Sequence, residues 1–477
     1  MSTAGFRYER VPVPEASPAE RVHSFDEVLH SYSKEEAVME ASRCLQCALP
    51  FCVEACPITQ DARGYIGLIA GGRFDEAARV VLNENPLGTT LCKVCYHYCE
   101  DACIMGDRGI PIAIRHLKRT ALEFGRSDMT YVPSQPKNQR IAVVGAGPAG
   151  LMAAWELGLR GYGVTVFEKL AVVGGQAEAI PHYRMPGSEL LQDLDRFRNL
   201  DVTFVPSQKA GVDFDPEALL REGYQAVYLA VGASKAGSPG IPGENLPGVI
   251  YALDFLLDAN EDRIAPLGKK IVVIGGGDVA IDSVRSAVRY APDARVAMVY
   301  RRTKEEAPAG PEEIHEAEPE GIRFHWLLSP LQILGTNHVE AAVFQKMQLA
   351  PPDASGRRAV VPVPGETETI ECDTVIMAIG QVADLEGFPK DLQLKIGTKG
   401  WPEGIHPDTM TAVPGVFASG GRSVVHAMAA GTRAAESIDA YLAAKAGRGA
   451  SPRPDPFGGP TPLPKTPHGY SERAWHP

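Results

Sequence analysis

Ile141-Ala-Val-Val-Gly145-Ala-Gly147-Pro148-Ala149-Gly150 decides how this chain folds. Four apolar residues in a row read as a strand buried on both faces, and the glycines after them as the turn into a helix. A helix predicted over Gly150–Gly161 and a strand over Val164-Thr-Val-Phe167 complete one βαβ unit. Gly145 permits the tight turn, Gly147 lets the backbone approach a pyrophosphate, and Gly150 lets helix and strand lie close. The helix N-terminus at Pro148 and Ala149 would then face phosphates. Glu168 ends the second strand 18 residues after Gly150, with Lys169 beside it. Its carboxylate suits a ribose hydroxyl pair and repels a 2′-phosphate, so the unit reads as an FAD or NAD(H) site.

The same solution recurs about 130 residues later. Strand Ile271-Val-Val-Ile274 leads into Gly275-Gly-Gly277-Asp278-Val279-Ala280, a helix over Val279–Tyr290 and a strand over Arg295–Tyr300. This strand ends in Tyr300-Arg301-Arg302. Two guanidinium groups suit a 2′-phosphate by charge and bidentate geometry. The second unit therefore reads as NADP(H), and the first, by division of labour, as FAD. The alternative is that Arg301 and Arg302 are a solvated basic pair. Tyr228-Leu-Ala-Val-Gly232 and Val375-Ile-Met-Ala-Ile-Gly380 are buried strands ending in small-residue turns, the points where the chain leaves the first unit and returns. They predict an NADP(H) domain over 241–367 inserted in a discontinuous FAD domain over 136–240 and 368–446. Gly415-Val-Phe-Ala-Ser-Gly420-Gly421, followed by a helix from about Val425, would aim a helix end at the flavin.

Eight of the nine cysteines lie between residues 44 and 103. They run Cys44-x2-Cys47-x4-Cys52-x3-Cys56-Pro57, then Cys92-x2-Cys95-x3-Cys99-x3-Cys103. Thiolates at this density are the ligand set of two iron–sulfur clusters. Zinc shares the CxxC…CxxC spacing, and disulfides are the other alternative. Pro57 after Cys56, and the absence of a histidine pair in the second half of the pattern, favour iron–sulfur. His97 reads as a surface or supporting residue, and the isolated Cys372 as packing. Helices are expected over 34–48, delivering the first two cysteines, as a pair within Ile66–Leu82, and over Ile112–Phe124. Together they make an N-terminal helical domain over 1–135, opening with an extended arm. The Pro/Gly-rich tail, 447–477, should lack regular structure, either loose or wrapped over a partner.

A net charge of −12 argues against nucleic acid or an anionic membrane as partner. No apolar run approaches the roughly 18 residues of a membrane span. The first 21 residues lack an apolar signal core, so a cytoplasmic protein is expected. No triad, catalytic carboxylate pair or HExxH motif is present, and no catalytic side chain is expected. Hydride transfer from a nicotinamide to a flavin is performed by the cofactors themselves.

Several stretches carry a resemblance beyond these motifs: CxxCxxxxCxxxCP, Gly174-Gly175-Gln176, Ile180-Pro-His-Tyr-Arg184-Met-Pro186, Gly240-Ile-Pro-Gly-Glu244 and Val299-Tyr-Arg-Arg302. From about residue 20 to 445 the chain resembles the small (β) subunits of NADPH-dependent glutamate synthase. It is also similar to the N-terminal part of dihydropyrimidine dehydrogenase and related flavin- and iron–sulfur-containing subunits. The resemblance implies an α/β chain: a helical double-[4Fe–4S] domain, then two Rossmann-like domains binding FAD and NADP(H). It adds Gly175, Gln176, Arg184, Gly232 and Gly380 to the nucleotide sites. It places Cys44, Cys47, Cys52 and Cys103 on one cluster and Cys56, Cys92, Cys95 and Cys99 on the other. Two departures stand out. The family lacks a cysteine at Cys92 and has an acidic or amide residue where this chain has Lys118, so the added thiolate would replace that ligand. Gly421 replaces an aspartate beside the flavin, leaving the backbone amides of Ser423 and Val424 to substitute. The implied partner is a larger catalytic subunit in a hetero-oligomer, glutamate synthase large chain-like or a 2-oxoacid oxidoreductase, or else ferredoxin. Electrons would run from NADPH to that partner, or backwards to NADP⁺. A reading of another class, a zinc-binding scaffold without turnover, would show in iron content and flavin absorbance.

Overall fold

The computed structural model describes residues 7–125, 129–352, 358–396 and 400–457. Ile141 to Val144 form the centre of a parallel five-stranded sheet, and all four are buried. The strand order is Val416–Ala418, Ala226–Leu229, Arg140–Val144, Gly163–Phe167, Val202–Val205. Strands so placed must be apolar on both faces, because helices cover each side. Pro148–Leu159 and Val424–Lys445 pack together on one of them, around the fully buried Trp155.

A second parallel five-stranded sheet is built wholly from the stretch of chain between Ala226–Leu229 and Val416–Ala418. Its order is Val249–Tyr251, Thr374–Met377, Lys270–Ile274, Arg295–Tyr300, Arg323–Trp326. One βαβ plan is thus used twice, with the outer strand supplied last in the first sheet and first in the second. The chain crosses between them through a short antiparallel pair, Lys235–Ala236 with Gln381–Val382. This corrects the expected return at 368. Thr374–Met377 pairs on both sides within the second sheet, and the crossing follows it. Its four buried residues belong there because only a central strand hides both faces. An antiparallel sheet, Leu328–Leu334, Ala341–Pro352 and Arg358–Glu371, extends from this unit.

Before residue 125 the chain is helical, with Ala62–Ala70, Phe74–Glu84, Gly88–Val94 and Ile114–Phe124 enclosing one apolar core. The helix expected over 34–48 stops at Ala41, where Ser42 Oγ donates to Val38 O. Cys44 and Cys47 lie beyond it in a loop that turns through a left-handed Gln46. A continuous helix cannot fold back to gather thiols around one centre; a loop can. The N-terminal arm is pinned as well: Arg21 pairs with Glu320 at 3.0 Å, tying it to the second nucleotide unit. The start of the tail straps back onto the molecule. Arg453 pairs with Glu156 at 2.9 Å and donates to Asn83 O, and Phe457 stacks 5.1 Å from Tyr131. The rest of the tail, from 458, lies outside the described residues. Among the described residues no helix is long and apolar enough to cross a membrane.

Candidate redox site

Four thiols from two distant runs meet first. Cys44, Cys47, Cys52 and Cys103 line one small cavity of about 30 Å³, whose other walls include Phe51, Ile66 and Ile112. Burial, then the neighbouring thiols of Cys44, Cys103 and Cys47, push the Cys52 thiol up to about 12. Such thiols ionise readily only against a strong positive charge, which iron or another metal supplies. The donor set fits an iron–sulfur cluster: four soft ligands in a dry pocket. Cys56, Cys95 and Cys99 form a second group; Cys95 and Cys56 raise the Cys99 thiol after burial, and Cys95 acts on Cys56. Cys56 and Cys95 pack against the core of the first nucleotide sheet, so this group is the inner one. Cys92 stands apart. Its Sγ donates to Thr89 O at 3.1 Å, and the charges acting on it most strongly are Lys118, Lys93, Arg119 and Asp193. Cys372 is buried in the second unit's core, as expected of a packing residue.

The fingerprint turns are built as glycine demands. Gly145 has φ +106°, and a side chain there would meet Ala230 O at 2.5 Å; one on Gly150 would lie 1.9 Å from Gly145 O. Around Gly147 the space is open, its nearest neighbour being Gly175 Cα at 3.9 Å. That leaves a backbone cradle at a helix N-terminus, a form that accepts a pyrophosphate. Glu168 is buried, and its two carboxylate oxygens accept from Ala146 N at 2.8 Å and Leu170 N at 2.9 Å. Lys169 Nζ donates to Ser234 Oγ at 2.8 Å, and Gln176 Nε2 to Ala233 O.

These residues open onto one cleft of about 520 Å³. It gathers Gly145, Gly147, Glu168, Gly175, Gly232 and Gly421 from the first unit, with Ser423 and Val424 at the start of the long C-terminal helix. The opposite wall is Asp278, Val279 and Asp282 of the second fingerprint helix, and Val94 and Tyr96 flank Cys95 on a third side. Gly150, Gly275, Gly277, Ala280, Gly380, Arg301 and Arg302 do not line it. Gly150 and Ala280 sit within helix–strand contacts, Gly380 in the crossing between units, where its carbonyl accepts from Gly237 N at 2.9 Å, and the two arginines beyond a strand end.

Arg184 lines the cleft, yet its guanidinium is committed to protein carboxylates. It forks onto Asp282 at 2.7 and 2.8 Å and reaches Glu313 at 2.7 Å, a clamp between the two nucleotide units. Tyr96 OH donates to Asp278, tying the cysteine block to the second helix start. Burial, then Asp282 and Glu313, push the Asp278 carboxyl up to about 7. His97 extends the seam: it and Arg115 meet Glu312 at 3.2 and 3.0 Å, and the His97 hydrogen bond leads the effects that hold Glu312 down to about 2. Val94, Tyr96, Asp282 and Trp401 of this site escape sequence reading, since none sits in a motif whose spacing points at the cleft.

Two family models match. Dihydropyrimidine dehydrogenase domain II, 4Fe-4S cluster, covers residues 21–129, and pyridine nucleotide-disulphide oxidoreductase covers 139–436. The chain is 38% identical to the NADP(+)-dependent formate dehydrogenase subunit beta of Moorella thermoacetica over 82% of its length, spanning 60% of that protein. It is also 38% identical to a Geobacter sulfurreducens NADPH-Fe(3+) oxidoreductase subunit beta, spanning 53% of it. Against the glutamate synthase [NADPH] small chain of Azospirillum brasilense it is 32% identical, with 93% of this chain and 97% of that one covered. Among solved structures, Mycobacterium tuberculosis FprA in complex with NADPH shares the fold at a TM-score of 0.55 and 21% identity, over 67% of this chain and 88% of that one.

Proposed function

The chain belongs to the glutamate synthase small-chain family of pyridine nucleotide-disulphide oxidoreductases, and we propose that it is the electron-transfer subunit of a larger NADP(H)-dependent enzyme. Its bound groups would supply the redox chemistry: hydride exchange between nicotinamide and FAD, and single-electron transfer through two [4Fe–4S] clusters. One observation carries this reading. A single cleft is walled by both dinucleotide fingerprints and by the residues on either side of Cys95.

In this assignment the Gly145–Gly150 turn holds the FAD pyrophosphate on backbone amides, and Ser423 and Val424 present a second helix start to the same group. Gly275–Ala280 takes NADP(H), with Arg301 and Arg302 for its 2′-phosphate. Arg184 holds the two units in fixed register. The inner cysteine group stands against the cleft and the outer group beyond it, so electrons leave towards a partner catalytic subunit.

Anaerobically purified protein mixed with NADPH and a viologen dye tests the reading. Bleached flavin absorbance with dye reduction, faster with NADPH than NADH, is expected; an unbleached flavin would sink it. The likeness to a subunit of an NADP(+)-dependent formate dehydrogenase favours a second reading, in which electrons enter from the partner and leave to NADP⁺. Reduced viologen with NADP⁺ measures that direction in the same cuvette.

A further inference from the structure

Three consecutive residues separate Cys95 from Cys99, and each reaches a different part of the nucleotide units. Tyr96 OH donates to Asp278, the first residue of the second fingerprint helix. His97 turns through a left-handed φ of 42° and meets Glu312 at 3.2 Å, on the helix Pro311–Ala317 of the same unit. The Tyr98 ring stands edge-on to His426, 5.2 Å away, in the first turn of Val424–Lys445. Arg115 ties the loop down, donating to Cys95 O at 3.2 Å and pairing with Glu312 at 3.0 Å. The stretch between these two thiols is therefore fastened directly to both nucleotide units.

The Asp278 contact matters most. A carboxyl at the start of a helix competes with an incoming phosphate for the same N–H groups and the same positive dipole end. Here its two oxygens accept from Tyr96 OH and, at 3.2 Å, from Gly310 N. A side chain added at Gly310 would lie 3.8 Å from the Tyr96 ring, so the two donors stand side by side, and neither belongs to the helix. The helix start itself is capped by no side chain, which leaves its amides for a pyrophosphate. Tyr96 and Asp278 both line the cleft.

We propose that Tyr96 couples the second nucleotide site to the inner cysteine group: it holds Asp278 clear of the pyrophosphate, and an electron taken up at the Cys95–Cys99 site loosens that hold. This coupling rests on the reading above of the second fingerprint as an NADP(H) site and of the inner thiols as a cluster site. Hydrogen bonds to its sulfurs help set a cluster's potential, so a more negative cluster draws the donors of its ligand loop towards it. Tyr96 then gives up Asp278, the carboxyl returns to the helix start, and nucleotide affinity falls. Linkage works in reverse by the same factor: bound nucleotide keeps Tyr96 on Asp278 and makes the inner site harder to reduce. In the NADPH-oxidising direction NADP⁺ is released once the inner site has taken an electron, and the next NADPH binds after that electron has passed outwards.

The test uses the anaerobically purified full chain and 2′-phospho-ADP-ribose, which keeps the phosphates of NADP and carries no nicotinamide to reduce. Its dissociation constant is measured with oxidised and with dithionite-reduced protein, and EPR of the reduced protein is recorded with and without it. Wild type is expected to bind roughly 5- to 20-fold more weakly when reduced, and the probe should shift one cluster signal and not the other. Tyr96→Phe keeps the ring and loses the donor; it is expected to keep its iron and lose both effects. Asp278→Ala removes the acceptor and should bring the two dissociation constants within about 2-fold of each other, whatever their size. An undiminished ratio in either variant would overturn the coupling, because through-space repulsion alone survives both substitutions. A wild-type ratio of one would overturn it too. Oxidised wild type that does not bind the probe would overturn the NADP(H) reading itself, and wild type without iron the cluster reading, each taking the coupling with it.

Discussion

The two dinucleotide fingerprints of this chain share a backbone plan and differ in how the turn is closed. In the first, Gly145 N donates to Phe167 O at 2.7 Å; in the second, Gly275 N donates to Val299 O at 3.0 Å. This equivalence sets Glu168 opposite Tyr300, and Lys169 opposite Arg301. In the first site a buried carboxylate captures the amide of Ala146. In the second the Tyr300 ring lies over Gly276, where an added side chain would meet it at 2.4 Å. The residue at the end of the second strand thus serves the turn itself in both sites, and the two arginines proposed for a 2′-phosphate, Arg301 and Arg302, are set one and two places further out. The helix starts differ too: Pro148 opens one, and Asp278, facing Tyr96 of the cysteine block, opens the other.

The largest expected effect tests the third fingerprint position. Gly150→Ala drives a methyl group into Gly145 O, and it should cost at least about 3 kcal/mol in denaturant unfolding and abolish flavin retention. Ala280→Gly, its counterpart, should cost about 1 kcal/mol, the helix propensity difference. Equal losses in the two variants would break the comparison. Next comes Glu168→Ala, which strips one buried and one half-buried amide of their acceptor. A loss of roughly 2–3 kcal/mol is expected, with weakened FAD binding measured by flavin release on dilution. Arg301→Ala and Arg302→Ala should leave unfolding within about 0.5 kcal/mol. Their KM for NADPH should rise roughly 10- to 100-fold, the worth of a charged hydrogen bond, with that for NADH unmoved. A parallel rise for NADH would make them general surface charge.

The smallest effect concerns Asp278. Its folded carboxyl sits near 7 against an ordinary 3.8, so the folded protein holds the proton more tightly than the unfolded chain. Stability contributed by that proton is present below about pH 4 and lost as pH rises through 7. Asp278→Asn should therefore match wild type at pH 4 and exceed it at pH 8, by about 1–2 kcal/mol in thermal or denaturant unfolding. A difference independent of pH would mean the carboxylate is better solvated than its neighbours Asp282 and Glu313 imply.

Both fingerprints, both central strands and the two cysteine runs were legible because each depends on local demands. A left-handed glycine, a four-residue apolar run or a CxxC spacing is written in adjacent residues. Arg184 shows where that ends. Its motif marks it as a site residue, but its partners, Asp282 and Glu313, lie about 100 and 130 residues away, and nothing near Arg184 specifies them. Thr374–Met377 reads equally well as a strand of either sheet, since a short run of β-branched and apolar residues fits any buried strand. Which sheet it joins depends on its pairing with Ile271–Ile274.

The sequence by itself determined that this chain carries two βαβ nucleotide units, one nested in the other, behind a cysteine-rich helical domain. Those features follow from backbone geometry and burial period, which a short window of residues already constrains. Only the tertiary structure decided that both units and the residues flanking Cys95 share one cleft, and that the Cys92 thiol is taken up by Thr89 O. Those facts depend on which helix faces meet across the core. Packing settles that through the combined shape and charge of segments far apart in the chain, and no single segment contains it.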